Sequence, residues 1–335
     1  MRTRSRVIAC GVVAAAATAA ALTVPPALAA QRHHGGDDGD GGRGTVLAAS
    51  LNGANEVPVQ GGPAVGDQDG AALEFVKVEG AKVSVAVKWR GTGRPTMLHI
   101  HEGAKGTNGG VKIDFGPLLK DANPKDANPK DANPKDTNLK GIKHHSSLTG
   151  TVTVKDSALL GRLKADPGAF YANLHTAEFP GGAVRGQLHR VTTPFGFGDA
   201  LDSFQASVVR GRQIYECKKD PATGAFAFAQ RDVRAVLGGR IAHSFTAPNS
   251  GTPQWVAPDR SAVTGAVIGK TPNGDGNIPE LDLKATQSGE RHGLLAGTAE
   301  ILRLNTVGGV APSGSCAAGD LAAVPYRADY VFVQR

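Results

Sequence analysis

The chain has 335 residues, which is ample for two domains with buried cores, and its 40% hydrophobic and 20% charged residues exclude a chain that is disordered throughout. Gly and Pro number 45 and 20 without the three-residue period of collagen, so short strands joined by turns are expected rather than long helices. The net charge of +7 is spread along the chain and only 5% of residues are aromatic, which excludes a basic nucleic-acid-binding module with a base-stacking surface.

Residues 1–29 have the organisation of a secretory signal peptide. Arg2, Arg4 and Arg6 precede an uncharged, Ala-rich stretch, and Ala-Leu-Ala at its end supplies a cleavage motif. The alternative is an uncleaved membrane anchor, since the stretch is nearly long enough to span a bilayer. Its Ala and Thr residues insert weakly, so we predict export, cleavage and a secreted, extracellular protein with no stable membrane span. Loss of the three Arg lowers the net charge from +7 to +4.

Residues 30–45 are rich in Gly and Asp and are predicted to form a flexible linker. From there to residue 191 the pattern is that of short strands. Residues 82–89 (KVSVAVKW) alternate between polar and apolar, which is typical of a half-buried strand. Residues 169–176 and 183–191 flank a turn-rich EFPGG segment and predict a hairpin. The single helix predicted here covers residues 157–165 (SALLGRLKA).

A short repeat interrupts this first domain. Residues 121–140 read DANPK-DANPK-DANPK-DTNLK, and the regularly spaced Pro residues forbid a continuous helix. One interpretation is a binding loop that contacts a partner or the cell wall. The other, which we favour, is a neutral expansion, because surface loops accept insertions at little cost.

Residues 200–335 form the second predicted domain, after a boundary segment at residues 191–198. Its predicted strands are residues 263–268, 281–285, 297–304 and 326–333. Both halves therefore predict a mainly β fold, with two antiparallel sandwich or barrel-like domains. Cys217 and Cys316 are the two cysteines that remain after cleavage, and an exported pair most simply forms a disulfide. A thiol nucleophile with a spare cysteine is the alternative.

The most specific local signal is the segment Leu98-His99-Ile100-His101. In a strand, His99 and His101 point to one face while Leu98 and Ile100 point to the other. Two imidazoles about 7 Å apart on one face can bind Zn²⁺ or Cu²⁺ when a third ligand joins them.

His175 is the best candidate for that third ligand, and His189 or Glu102 could serve as a fourth. The competing interpretation is structural. In that case the histidines donate hydrogen bonds to turn carbonyls and hold the Gly-rich loops in place.

Other motifs fail on their spacing. Residues 265–271 (GAVIGKT) imitate a phosphate-binding loop but have three residues between the glycines where four are needed. Residues 273–277 (NGDGN) imitate a calcium loop without its bidentate acid. The chain also has no G-x-S-x-G and no H-E-x-x-H segment. No recognisable catalytic constellation results, which argues against an enzyme.

Four segments of the first half together resemble the CHRD (chordin) domain family. They are LNGANEVP at residues 51–58, HIHEGAKGTNGG at 99–110, YANLHT at 171–176 and GAVRGQL at 182–188. The resemblance implies an antiparallel β-sandwich found in secreted proteins, without an established catalytic activity. The repeat insertion departs from the family pattern, and Ala183 stands where Glu is usual.

Two further resemblances bear on function. The His-x-His-Glu-x-Gly string is similar to the first copper-ligand motif of copper/zinc superoxide dismutases, although the second signature of that family is missing. The second half resembles the secreted family called domain of unknown function 3455, through QIYEC at residues 213–217, RLNTVGGVAP at 303–312 and VPYRADY at 324–330 among others. This family implies a β-rich fold and a cysteine pair.

The sequence therefore predicts a secreted binding or structural protein with an extracellular or cell-envelope partner of unknown identity. The alternative is a copper- or zinc-binding, superoxide-dismutase-like redox protein that uses His99, His101 and His175.

Overall fold

The computed structural model describes residues 44–121 and 147–335. The predicted signal peptide and nearly all of the predicted linker and DANPK repeat lie outside these residues. Thr45, the last residue assigned to the linker, already belongs to the first strand. Within the described ranges no helix has the length and apolar character needed to cross a membrane.

The chain is mainly β and forms two β domains. The strands of the first domain are β1 (Thr45–Asn52), β2 (Ala71–Glu79), β3 (Lys82–Arg90), β4 (Pro95–Glu102), β5 (Val111–Asp114), β6 (Ser147–Thr153), β7 (Phe170–Thr176), β8 (Val184–Gln187) and β9 (His189–Arg190). Its helices are α1 (Gly116–Asp121) and α2 (Ser157–Ala165). The strands of the second domain are β10 (Phe204–Lys219), β11 (Phe226–Leu237), β12 (Ala242–Phe245), β13 (Pro253–Val256), β14 (Ala262–Thr271), β15 (Glu280–Gln287), β16 (Thr298–Gly308) and β17 (Leu321–Gln334).

The first domain is a nine-stranded sheet in the order β5-β4-β7-β8-β1-β2-β3-β6, with β9 paired to β1. Its ladders are antiparallel, as the short strands and tight turns predict. The predicted hairpin is confirmed, because β7 pairs with β8 across the turn. One face of the curved sheet carries the apolar core, and this order places β4, β7 and β8 side by side.

The predicted helix at residues 157–165 is confirmed as α2. Asp156 caps its first turn by accepting a hydrogen bond from the backbone N–H of Leu159, and three leucines bury one side of the helix. The expectation of a single helix is wrong, because α1 also forms after β5. Its six residues contain Gly and Pro and are too short for a periodic pattern to reveal.

The second domain is a closed barrel of eight strands, β10 to β17. All four of its predicted strands are found, in β14, β15, β16 and β17, although β16 begins at Thr298, one residue after the predicted start. A disulfide joins Cys217 on β10 to Cys316 in the loop before β17, so the predicted pairing is confirmed.

The two domains pack against each other through a shared core and a polar network. Phe75 of the first domain and Val331 of the barrel belong to one buried apolar cluster. Beside it, the Asp329 carboxylate accepts hydrogen bonds from Ser50 Oγ at 3.2 Å and Asn52 Nδ2 at 3.0 Å. Ser207 of the barrel also donates to this carboxylate. Because donors from both domains share one buried acceptor, these hydrogen bonds orient the two domains relative to each other.

Candidate metal centre

Three histidines converge on β4 and β7, on the side of these strands that faces away from Leu98, Ile100 and the first core. His99 and His101 alternate along β4 with the core residues Leu98 and Ile100, as the sequence pattern predicts. His175 lies on the adjacent β7, where it pairs with Met97, two residues before His99 on β4. Because paired residues share a face of the sheet, the three rings project to the same side.

The three imidazole rings are in contact with one another. Their centroids lie 5.5 Å apart for His99–His101, 5.2 Å for His99–His175 and 6.3 Å for His101–His175. One ring nitrogen from each histidine lies within 4.8 Å of the other two. Some common point is therefore within about 2.8 Å of all three atoms, while a Zn–N bond is about 2.0–2.1 Å long. Each ring would need to move by less than about 1 Å to coordinate one ion.

Two of the rings have a tautomer set by backbone carbonyls. Nδ1 of His101 lies 2.9 Å from the Gly109 carbonyl oxygen, and Nδ1 of His175 lies 3.1 Å from that of Pro180. A carbonyl oxygen can only accept, so in both rings Nδ1 carries the proton and donates. The lone pair is therefore on Nε2, which is buried without a hydrogen-bond partner in both residues.

His99 has the opposite tautomer for the same kind of reason. Its Nε2 lies 3.4 Å from Oδ1 of Asp114, the residue opposite it on β5. The carboxylate accepts a hydrogen bond from Nε2–H, so the proton stays on Nε2 and the lone pair is on Nδ1, which is also buried without a partner. Each ring thus keeps one unused acceptor nitrogen. Three buried acceptors on neighbouring rings have a need that a cation would meet.

The histidines are held in the neutral form that metal binding requires. Burial lowers the pKa of His99 and of His101, although Asp114 and the Gly109 carbonyl oppose the shift. Burial also lowers the pKa of His175 to about 4, with the neighbouring histidines adding to the shift. At neutral pH the three lone pairs are therefore available to a ligand.

A stack of side chains supports His101. The ring of Tyr171 lies parallel to the His101 ring at a centroid distance of 4.8 Å, and the Arg185 guanidinium carbon lies 3.4 Å from the Tyr171 centroid. Arg185 also donates to the carbonyls of Thr107 at 2.7 Å and Ala104 at 3.3 Å. These bonds anchor the Gly-rich loop that presents the Gly109 carbonyl to His101.

A carboxyl group lies beyond the histidines on the same face. Asn173, on β7, pairs with His99 of β4 on one side and with Arg185 of β8 on the other. It hydrogen-bonds Glu56, whose pKa burial raises to about 7 against the lowering effects of Arg185 and Asn173. Oε1 of Glu56 and Oδ1 of Asn173 are buried without partners, which gives this end of the face two more unused acceptors.

The structure does not bring the two candidate fourth ligands to the centre. The Glu102 carboxylate accepts from Arg162 Nε at 3.0 Å and lies 3.2 Å from Lys112 Nζ, so two cations already occupy it. Nε2 of His189 lies 3.4 Å from Glu280 of the barrel. Glu102 is thus engaged by two cations, and His189, whose pKa burial lowers, contacts the Glu280 carboxylate as a neutral ring.

Sequence reasoning missed the groups that orient the rings. Asp114, Gly109 and Pro180 hold His99, His101 and His175 through hydrogen bonds that depend on strand register and loop shape, which no local pattern reveals. Of these three, Asp114 could have been suspected from the sequence, because it is an acidic residue at the end of β5, the strand that follows the His-x-His segment of β4. The structural interpretation of the histidines is correct for one nitrogen of His101 and of His175, and it leaves the other nitrogen of each ring unused.

The resemblances to the CHRD domain and to domain of unknown function 3455 are confirmed by comparison with protein families. Residues 47–188 match the CHRD domain, and residues 230–334 match a family described as a protein of unknown function, DUF3455. The first match contains all three histidines, and the second covers most of the barrel. Neither the curated proteins nor the solved structures include a match to this chain.

Proposed function

We propose that this protein is an exported binding protein whose CHRD domain holds one Cu²⁺ or Zn²⁺ ion on His99, His101 and His175. The observation that carries the proposal is the set of three unpartnered ring nitrogens, His99 Nδ1, His101 Nε2 and His175 Nε2, on rings whose other nitrogens all have partners.

The donor set selects the class of metal. Imidazole nitrogen suits Zn²⁺ and Cu²⁺, whereas Ca²⁺ and Mg²⁺ prefer oxygen ligands. Three protein ligands leave a coordination position for water or a small exogenous ligand, as in catalytic rather than closed structural zinc sites. His99 keeps 12% of its side chain exposed, which gives an ion a path from solvent.

The surrounding hydrogen bonds support a prepared site rather than a chance cluster. Metal-bound histidines commonly donate their second ring N–H to a carboxylate or a backbone carbonyl, which fixes the ring and raises its basicity. Here Asp114, Gly109 and Pro180 fill those roles. The Asp114 carboxylate also offsets part of the charge that a divalent ion would bring.

Export is supported by the signal-peptide pattern of residues 1–29 and by the disulfide between Cys217 and Cys316, since such bonds persist in oxidising compartments. An extracellular or cell-envelope site of action follows from it. Mass spectrometry of the mature protein from culture medium tests this step, and an N-terminus at or near Ala30 is the expected result.

The metal proposal is tested on untagged protein by elemental analysis and by titration with Cu²⁺ and Zn²⁺. We expect one ion per chain, and for copper an electron paramagnetic resonance spectrum with nitrogen ligands. His101→Gln and His175→Gln should each abolish tight binding. His292→Gln is the matched control, because His292 is an exposed histidine far along the chain in the barrel.

Binding of less than one ion per chain at metal concentrations in the micromolar range, or equal affinity in the control and the two site variants, would refute the proposal. Superoxide consumption by the copper-loaded protein, lost in His101→Gln, would assign the redox function instead of metal binding alone.

A further inference from the structure

The barrel has a polar cluster inside it, which we call the interior cluster. Its members are Gln213, Trp255, Arg303, Tyr326 and Tyr330. Strand register places them inward, since Gln213 is paired with the core residue Val233, Trp255 with Val263, and Arg303 with Tyr330. Interiors of soluble barrels are usually filled by apolar side chains, so a group of hydrogen-bonding side chains here needs an explanation.

Three members of the interior cluster carry hydrogen-bond donors with no acceptor. They are Nε of Arg303, Nε2 of Gln213 and Nε1 of Trp255, all of them buried. Gln213 and Trp255 are each only 1% exposed. Oε1 of Gln213 accepts from Gln230 Nε2 at 2.7 Å, which fixes the amide so that its NH₂ group is the unused end. An unsatisfied buried donor costs about 1–3 kcal/mol, so three of them indicate that something accepts from them.

The interior cluster is also positively charged. Arg303 donates to the Pro279 carbonyl at 2.8 Å, and no ion pair among the described residues includes it. The nearby His243 is neutral, since burial lowers its pKa to about 4. Asp232, which interacts with His243, has its Oδ1 occupied by the N–H groups of Val233 and Phe245, at 2.8 Å each.

The remaining titratable neighbours do not neutralise Arg303. Burial raises the pKa of Tyr326 and of Tyr330, so both hydroxyls stay protonated, and they lie 3.3 Å from each other. On β15, Leu281 pairs with Arg303, so the flanking Glu280 and Asp282 point to the opposite face. Glu280 there contacts Lys105 of the first domain.

We propose that the barrel interior binds a small organic carboxylate, with Arg303, Gln213 and Trp255 donating to its oxygens. Arg303 also hydrogen-bonds the Tyr330 hydroxyl but has no ion-pair partner among the described residues, so an acceptor with negative charge would satisfy the three donors and balance the guanidinium charge, which water does not. The aromatic walls suit a short apolar body, since Trp255 lies 5.6 Å from Tyr330 and 6.3 Å from Phe332 between ring centroids. An eight-stranded barrel leaves room for one small ligand at most, which limits the acid to a few carbons. This site is independent of the three histidines.

Trp255 itself provides the assay. The chain has two tryptophans, so Trp89→Phe in the full-length protein leaves Trp255 as the only indole. We titrate this protein with acetate and butyrate and follow its fluorescence, with phosphate and butylamine as probes of other chemistry. We expect a saturable change with butyrate and none with butylamine. Arg303→Met should weaken butyrate binding by at least about tenfold, and Arg303→Lys should weaken it less. Arg210→Met, at an exposed position of β10, should leave it unchanged.

Absence of a saturable response to either carboxylate in the parent protein would overturn the proposal, because water alone would then satisfy the donors. A response to phosphate without a response to carboxylates would overturn it as well. Calorimetric titration of the parent protein with butyrate decides the matter even if Arg303→Met does not fold. If Arg303→Met folds and binds butyrate as tightly as the parent does, or if Arg303→Met and Arg303→Lys bind it equally well, the contact between Arg303 and the carboxylate is wrong.

Discussion

Glu74 provides the sharpest test of how the first domain is stabilised. It lies in the middle of β2, where its neighbours across the sheet are Ala49 and Val87, and it shares its face with the core residues Ala72 and Val76. The side chain is 0% exposed, and neither carboxyl oxygen has a hydrogen-bond partner. A carboxyl group in such surroundings resists ionisation, and burial raises the pKa of Glu74 to about 8.

The sign of the effect on stability follows from linkage. Below pH 4.5 the carboxyl is protonated in both states, so it adds no pH dependence. Between pH 4.5 and about 8 only the unfolded chain ionises, which stabilises the unfolded state and lowers the free energy of unfolding as pH rises. From the two pKa values, the loss between pH 5 and pH 8 comes to about 3.5 kcal/mol.

The perturbation is Glu74→Gln, which keeps the shape of the side chain and removes its titration. Urea unfolding of both proteins is measured at pH 5, 6, 7 and 8 with a chelator present, in a Trp255→Phe background in which Trp89, packed on the same core, reports the first domain. A comparison at one pH alone would not suffice, because the amide that Glu74→Gln introduces also lacks partners. The difference between the two proteins should therefore change by about 3.5 kcal/mol in favour of the variant from pH 5 to pH 8.

The difference between the two proteins also cancels the other titrating groups, such as His175 and Glu56, because they contribute equally to both. Parallel pH profiles for the parent and Glu74→Gln would refute the reasoning, since they would mean that Glu74 is ionised in the folded state or is hydrated there. A difference that grows toward low pH would contradict it equally.

Three further predictions concern the contacts described above. Asp114→Asn should weaken Zn²⁺ binding by about 10- to 100-fold in a calorimetric titration, because it removes the carboxylate that orients His99; unchanged affinity would exclude that role. Replacing Cys217 and Cys316 by Ser should lower the free energy of unfolding of the barrel by about 4–5 kcal/mol, the loop-closure value for their separation of 99 residues, and an unchanged urea midpoint would contradict it. Asp329→Ala should cost about 3–5 kcal/mol, because donors from both domains lose their acceptor. We expect the parent to unfold in one step and the variant in two, and a single step in the variant would contradict this.

Several of these features follow from local patterns in the chain. The alternation in β3 and β4, the cap and apolar face of α2 and the isolated cysteine pair each depend on residues that are close in sequence or few in number. Local patterns also select His99, His101 and His175 from the ten histidines of the chain. His99 and His101 are alternate residues of one predicted strand, so they share a face, and His175 lies in a second predicted strand. The family motifs are readable for the same reason.

The rest depends on which residues lie opposite one another, and that is a property of register and closure. Asp114 meets His99, and Asn173 meets both His99 and Arg185, only because β5, β7 and β8 pair with a particular offset. A shift by one residue would turn every side chain of a strand to the other face.

The sequence by itself determined a β-rich chain with an export pattern, one cysteine bridge and a candidate set of imidazoles, because strand period and residue chemistry act locally. Only the tertiary structure decided which nitrogen of each imidazole is unused, that Glu74 faces a core, and that Arg303 lies in the barrel without an ion pair among the described residues. Those properties are set by burial and by partners distant in sequence, and the protonation state and ligand needs of a side chain depend on both.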